Sequence, residues 1–287
     1  MTARLLVNVA LNGLTLAALY FIVASGFSIV FGLLRTVNMA HGALYLLGAY
    51  IGYDVAAAHG WWWGVLAAAV AVGLLGAAMQ KWLLDRMQGQ DLRQALVTIG
   101  LSIVLGDLLL ARYGGLTYQF EPPDALYGSV PLPAGLGGYP TFRLFLIGVA
   151  LAIGLALWLL MYRTRLGMAI RAGVDDRAML SAMGFNVPRL FILVFALGAA
   201  MAGLAGVIGG SALSVAPGED ARYLMSSLVV VIVGGMGSLG GAALGALLVA
   251  FAEQIGLVLF PHYAILLTFV IMIAVLAVRP RGLLGRA

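Results

Sequence analysis

The sequence predicts an all-α polytopic membrane protein, and three observations carry that prediction. Of its 287 residues, 63% are hydrophobic and only 9% are charged, with a mean hydropathy of +1.07. A soluble domain carries about 25% charged residues, so a chain this apolar cannot clothe itself for water and its exterior suits lipid. Apolar runs also recur almost to the end of the sequence, which excludes a soluble protein behind a single signal segment. Finally, the runs are continuous and rich in Leu and Ala rather than alternating, which selects helices over a membrane barrel.

A helix rises about 1.5 Å per residue and the hydrocarbon core is about 30 Å thick, so about 20 apolar residues span it. Runs meeting or approaching that length are 5–34, 42–58, 62–84, 94–112, 142–162, 190–213, 222–235, 238–260 and 262–279. They predict about nine transmembrane segments, within a range of eight to ten. Two places set that range. The run 5–34 is longer than one crossing needs, and its "ASGFS" (24–28) offers a break at Gly26. The run 222–260 is split by "GGMGSLGG" (234–241), where re-entrant half-helices are possible. Broken or re-entrant helices are therefore expected near 24–42 and 234–241.

Charge sets the orientation. Of 16 basic residues, 12 fall at Arg35, in 81–93, in 163–189 and in 279–286, while Asp54, Glu121, Asp124, Glu219 and Asp220 lie between these clusters. Alternation of this kind follows the positive-inside rule and argues against a nucleic-acid partner. It places the three main basic clusters and the carboxyl terminus in the cytoplasm. "HGWWWG" (59–64) then reaches the outer interface, where tryptophan rings favour the headgroups. The whole chain, 1–287, reads as one transmembrane domain with two extramembrane features. Residues 113–141, with five prolines, form an external loop, and 163–189 form the largest cytoplasmic feature.

Within 165–183 the apolar residues Leu166, Ile170, Val174, Ala178 and Ala182 recur at fours, with Met179, Leu180 and Met183 beside them. That pattern predicts one or two short helices with an apolar stripe, ended by Gly184 and the Asn186–Pro188 turn. The stripe suits either a bilayer surface or a cytoplasmic partner.

Two interruptions carry polar groups into apolar surroundings. In "RTVNMAHGALYLLGAY" (35–50), Asn38 and His41 are three apart and followed by Gly42. A helix broken inside a membrane frees backbone groups, tolerated only where protein or water covers them. Asn38 and His41 either satisfy those groups, cap the next helix, or line a hydrophilic path. In "GGMGSLGGAALG" (234–245), Gly235, Gly237 and Ser238 make a poor continuous helix. Paired interrupted segments point to transport sites, and small residues alone also serve close helix packing. Asp107 and Glu253 are acids inside spans, where charge is costly. Arg112 and Gln254 are their nearest local partners. There is no cysteine, hence no disulfide or thiolate chemistry. No metal site is expected from the three histidines, and no catalytic motif appears.

These segments carry a resemblance. "GLTLAALYFIVASGFSIVFGLLRTVNMAHGALYLLGAY" (13–50), "GMAIRAGVDDRAMLSAMGFNVPRLFILVFALGAAMAGLAGV" (167–207) and "VVVIVGGMGSLGGAALGALL" (229–248) resemble the permease subunits of high-affinity branched-chain amino-acid uptake systems, which are bacterial ABC importers. The resemblance implies a multi-pass permease in the bacterial inner membrane, without its own catalytic site. It implies a second related permease, two cytoplasmic ATPase subunits that bind ATP and Mg, and a periplasmic substrate-binding protein. It puts Asn38, His41 and Gly42 in the family's characteristic break after the first span; with the second interruption, the residues expected on the translocation path are Asn38, His41, Gly42, Gly235, Gly237 and Ser238. Arg171, Asp175, Asp176, Arg177, Ala178, Ser181 and Gly184 fall in the loop that couples such permeases to their ATPases. One departure stands out: the family's Glu-Ala-Ala before the loop glycine is Ala178-Met179-Leu180 here. Family members also carry urea and short amides. The rival class is an ion-coupled secondary carrier using Asp107 or Glu253.

Overall fold

A computed structural model describes residues 3–34, 38–132 and 137–285. Among the described residues there are eleven α-helices: α1 (Ala3–Leu34), α2 (His41–His59), α3 (Trp61–Ala78), α4 (Asp91–Tyr113), α5 (Thr141–Arg163), α6 (Arg165–Asp175), α7 (Arg177–Ala182), α8 (Val187–Ala212), α9 (Glu219–Gly234), α10 (Leu239–Leu259) and α11 (Ala264–Val278). A short antiparallel pair, β1 (Ser129–Pro131) and β2 (Gly138–Pro140), folds the loop between α4 and α5, with Val130 opposite Tyr139. The chain is an all-α polytopic membrane protein.

Nine of the helices coincide in position with the apolar runs, but their lengths differ from the expectation. Six of them (α1, α3, α4, α5, α8 and α10) are long and apolar enough to cross a membrane. The helices α9 and α11 have 16 and 15 residues. α2 has 19 residues, but His41, Asp54, His59 and three tyrosines lower its hydropathy. More than half of α2 is buried inside the protein, so it does not need a lipid-compatible surface on every side.

Burial sorts the bundle into inner and outer helices. In the most apolar stretch of each helix, 89% of α1 and 67% of α8 is buried, against 17% for α4 and α5. α8 is the central strut, packed on α1, α2 and α3. Its small residues allow backbones to meet. A side chain on Gly48 would collide with Gly203, and one on Gly206 would collide with the Tyr45 carbonyl. Gly26 belongs to the same set. The expected break there does not occur, since α1 runs unbroken from Ala3 to Leu34. A Cβ on Gly26 would stand 2.7 Å from the Gly198 carbonyl oxygen, so this glycine serves close approach to α8.

The loop 113–141 and the segment 163–189 lie at opposite ends of α5, which gives the bundle a loop end and a basic end. The loop end is tied down by aromatic contacts. Tyr50 stacks on Tyr113 at 4.1 Å, and Tyr118 forms a backbone bridge with Val215.

Candidate functional site

The interruption between α1 and α2 doubles back into the bundle. The His41 imidazole Nε2 donates to the carbonyl of Val23 at 3.0 Å, since a carbonyl can only accept. Val23 precedes the end of α1 by eleven residues, about 16 Å along its axis. His41 therefore sits deep beside α1, with the Phe27 ring edge-on at 5.3 Å. The freed backbone groups are closed by side chains. The Asn38 Oδ1 accepts from the Ala40 N–H at 3.1 Å, and the Thr98 hydroxyl of α4 accepts from the Met39 N–H at 3.1 Å. Asn38 and His41 are 5% and 1% exposed, so the described part of this break, from 38 onward, is sealed.

The start of α9 meets the start of α2. A side chain on Gly42 would collide with the Asp220 carbonyl, and the Tyr45 and Tyr223 rings lie 3.9 Å apart. Before α9 the chain turns through Ser214, with φ of 127°, and Gly218, with φ of 91°. The Pro217-Gly218 pair followed by acids was the sequence signal for this turn, which a reading centred on 234–241 passes over.

The interruption between α9 and α10 is built differently. Gly235 and Gly237 adopt φ of 108° and 78°, which an L side chain resists, and the Ser238 hydroxyl caps α10 by accepting from the Gly241 N–H at 3.0 Å. The last carbonyls of α9 would be orphans. Instead, the N–H groups of Leu283 and Leu284 donate to the carbonyls of Val233 and Gly234, both at 2.9 Å. The carboxyl-terminal segment thus clips onto α9. Gly235 faces this clip, because a side chain on it would collide with Gly285.

On the other side, Gly237 and Ser238 line a cleft of about 480 Å³ with Ser28 and Gly32 of α1 and with Tyr162 and Arg171. The structure thereby joins, in one cleft, two of the residues expected on a path and one expected in a coupling loop. Asn38, His41, Gly42 and Gly235 do not line it.

The segment 163–189, expected to couple to a partner, forms α6 and α7, capped by Thr164 and Asp176, whose side chains accept from the N–H groups of Gly167 and Met179. The expected single stripe is divided. Extended backbone at Asp176 separates the helices. Ala169 and Ile170 on α6, and Leu180 on α7, pack inward. Met179, Met183 and Phe185 are 60%, 66% and 43% exposed, beside exposed Ala178, Ser181 and Gly184. Gly184 has φ of 85° at the end of α7. The Arg171 guanidinium turns back over the Tyr162 ring at 4.8 Å. The side chains of Asp175 and Arg177 lie outside the described residues; Asp176 is exposed.

The intramembrane acids differ. Glu253 accepts from the Tyr20 hydroxyl at 2.6 Å and pairs with Arg222 at 3.3 Å. Those partners lie on α1 and α9, so no local spacing could reveal them, and Gln254 is not one of them. Asp107 is exposed and has no ion pair with Arg112, whose guanidinium lies over the Tyr113 ring at 5.2 Å.

Comparison with known proteins decides what the arrangement belongs to. Residues 9–276 match the family described as branched-chain amino acid transport system / permease component. The chain belongs to this permease family. The permease is 31% identical to the high-affinity branched-chain amino acid transport system permease protein LivH of Escherichia coli K12, over 96% of this chain and 94% of that one. It is 27% identical to the high-affinity branched-chain amino acid transport system permease protein LivM of the same organism, over 94% of this chain and 68% of LivM. Among solved structures, PsaBC from Streptococcus pneumoniae in complex with Fab shares the fold, with a TM-score of 0.55 and 16% identity over 94% of this chain and 91% of that one. The permease is therefore the membrane-spanning subunit of an ABC-type importer. The ion-coupled carrier reading gives way, and Glu253, held by Tyr20 and Arg222, is accounted for by helix pairing.

Proposed function

We propose that this chain pairs with a second, related permease in the inner membrane of a bacterium and carries branched-chain or related small amino acids inward. Two ATPase subunits, which bind ATP and Mg, drive the cycle, and a periplasmic binding protein delivers the solute. The chain itself holds no cofactor and no catalytic site. It crosses the membrane nine times, with 113–141 outside and 163–189 and the carboxyl terminus in the cytoplasm. The similarity to both LivH and LivM of one organism supports a pair of related permeases.

One observation carries the mechanism: the exposed apolar end of α7 and the cleft at 236–238 are joined through α6. Ala178, Ser181 and Gly184 sit at the ATPase contact with Met179, Met183 and Phe185. Asp175, Asp176 and Arg177 set its register by charge. Arg171 passes the displacement of α6 to Gly237 and Ser238, which line the path. Gly235, with the clip beneath it, is the pivot. Asn38, His41 and Gly42 hold the path open from behind, as its rigid wall.

Mass spectrometry of what co-purifies in mild detergent tests the assembly. ATPase subunits and a second permease are expected, and a lone subunit active in liposomes under an ion gradient refutes the reading. Ala178→Trp tests the contact: binding-protein-stimulated ATP hydrolysis falls about tenfold or more while membrane insertion is unchanged, as for a steric block of about 1.4 kcal/mol at an interface centre. Ala178 is the better site than Gly184, where positive φ strains any side chain.

A further inference from the structure

An apolar groove of about 710 Å³ runs along the outside of the bundle between α1, α5 and α10. Its floor is made of small residues: Ala17 and Ala18 of α1, Gly154 of α5 and Ala243 of α10. The α5 wall extends from Ile147 to Tyr162, about 22 Å at the helical rise. One leaflet of hydrocarbon is about 15 Å deep, half of the ~30 Å core. The groove can therefore take an acyl chain along its full length.

At the basic end its chemistry changes. Trp158 and Tyr162 line the groove, with ring centroids 5.8 Å apart. The guanidinium of Arg163 lies 5.9 Å from the Trp158 ring centroid, and that of Arg171 lies 4.8 Å from the Tyr162 centroid. Among the described residues neither arginine has a carboxylate partner. Tyr162 and Leu239 also line the polar cleft that holds Arg171, so the groove opens into it. Apolar length, two ring-stacked cations with no carboxylate partner among the described residues, and interfacial aromatics match one occupant in size and sign. A second copy of the chain packed here by a two-fold axis would bring the same arginines toward their own images.

We propose that this groove binds an anionic phospholipid. Its acyl chain lies on the small residues between α1, α5 and α10, and its phosphate is held by Arg163 and Arg171. The lipid wedges α5 against α1 and reaches the cleft at 236–238.

Native mass spectrometry of the purified full chain, with its co-purifying subunits, provides the test. The probes are phosphatidylglycerol and phosphatidylcholine with identical acyl chains. The parent should prefer phosphatidylglycerol. The pair Arg163→Gln with Arg171→Gln should weaken phosphatidylglycerol binding about tenfold or more, since each basic residue near an anionic headgroup contributes about 1 kcal/mol, and leave phosphatidylcholine binding unchanged. Lysine at both positions should restore the preference, which separates lost charge from misfolding. Ala243→Phe should reduce binding of both lipids. Equal affinity for the two lipids in the parent overturns the proposal, as does an undiminished preference in the glutamine pair. Because the chain has no cysteine, Ala243→Cys also provides a cross-linking probe. Quantitative cross-linking of it to a second permease in native membranes assigns the groove to a protein interface and likewise overturns the proposal.

Discussion

The two interruptions, before α2 and before α10, share a sequence signature, and their described residues, 38–40 and 235–238, differ in construction. Each sets polar and small residues before an apolar helix. At the first, groups from three other elements surround Asn38, His41 and Gly42: the Thr98 hydroxyl accepts from the Met39 N–H, the Val23 carbonyl accepts from His41, and the Asp220 carbonyl packs on Gly42. At the second, glycines with positive φ turn the chain, the carboxyl-terminal segment supplies the missing donors, and Ser238 faces a cleft. The difference teaches that a broken membrane helix need not be a path. Protein satisfies freed groups at both breaks; what counts is whether the break is packed on every side or faces a space. A sealed break fixes one helix against another. A break built on glycines and an external clip has room to change.

The substitutions that break this comparison act in descending order. Gly42→Leu has the largest effect, because the side chain collides with the Asp220 carbonyl where α2 and α9 start. Overpacking of this kind costs about 3 kcal/mol, and little monodisperse protein should survive detergent extraction. His41→Leu comes next. It removes the donor to Val23 and leaves neighbouring polar groups buried, a loss of about 1–3 kcal/mol. Thermal unfolding in detergent should shift downward, while uptake per assembled complex stays near that of the parent. Removal of residues 281–287 deletes the donors to Val233 and Gly234. Each lost hydrogen bond costs about 0.5–1.5 kcal/mol. Here uptake per assembled complex should fall more steeply than stability, the reverse of His41→Leu. Equal effects of the two changes on uptake would erase the distinction between the breaks.

The membrane class, the helical fold and the positions of the apolar runs were legible because hydropathy records the solvent that a whole segment meets. Both interruptions were legible for the same reason, since Asn38, His41 and Ser238 stand out in apolar surroundings. Their opposite environments were not. The partner of His41 is 18 residues away on another helix, and the clip comes from the far end of the chain. The role of Gly26 was hidden because a break and a close approach demand the same residue. The divided stripe of α6 and α7 escaped because a period of four counts residues through Asp176 without registering the extended backbone there. Arg222 with Glu253 is a pairing 31 residues apart that only packing creates.

The contrast between a sealed break and an open one is tested most directly by thiol accessibility. The chain has no cysteine, so Asn38→Cys and Ser238→Cys each report alone. A water-soluble thiol reagent is applied to the assembled importer from the basic side, with and without a non-hydrolysable ATP analogue. Ser238→Cys should label, at a rate that changes with nucleotide, and Asn38→Cys should remain unlabelled in both states. Labelling of Asn38→Cys as fast as Ser238→Cys, or a Ser238→Cys indifferent to nucleotide, would contradict the account.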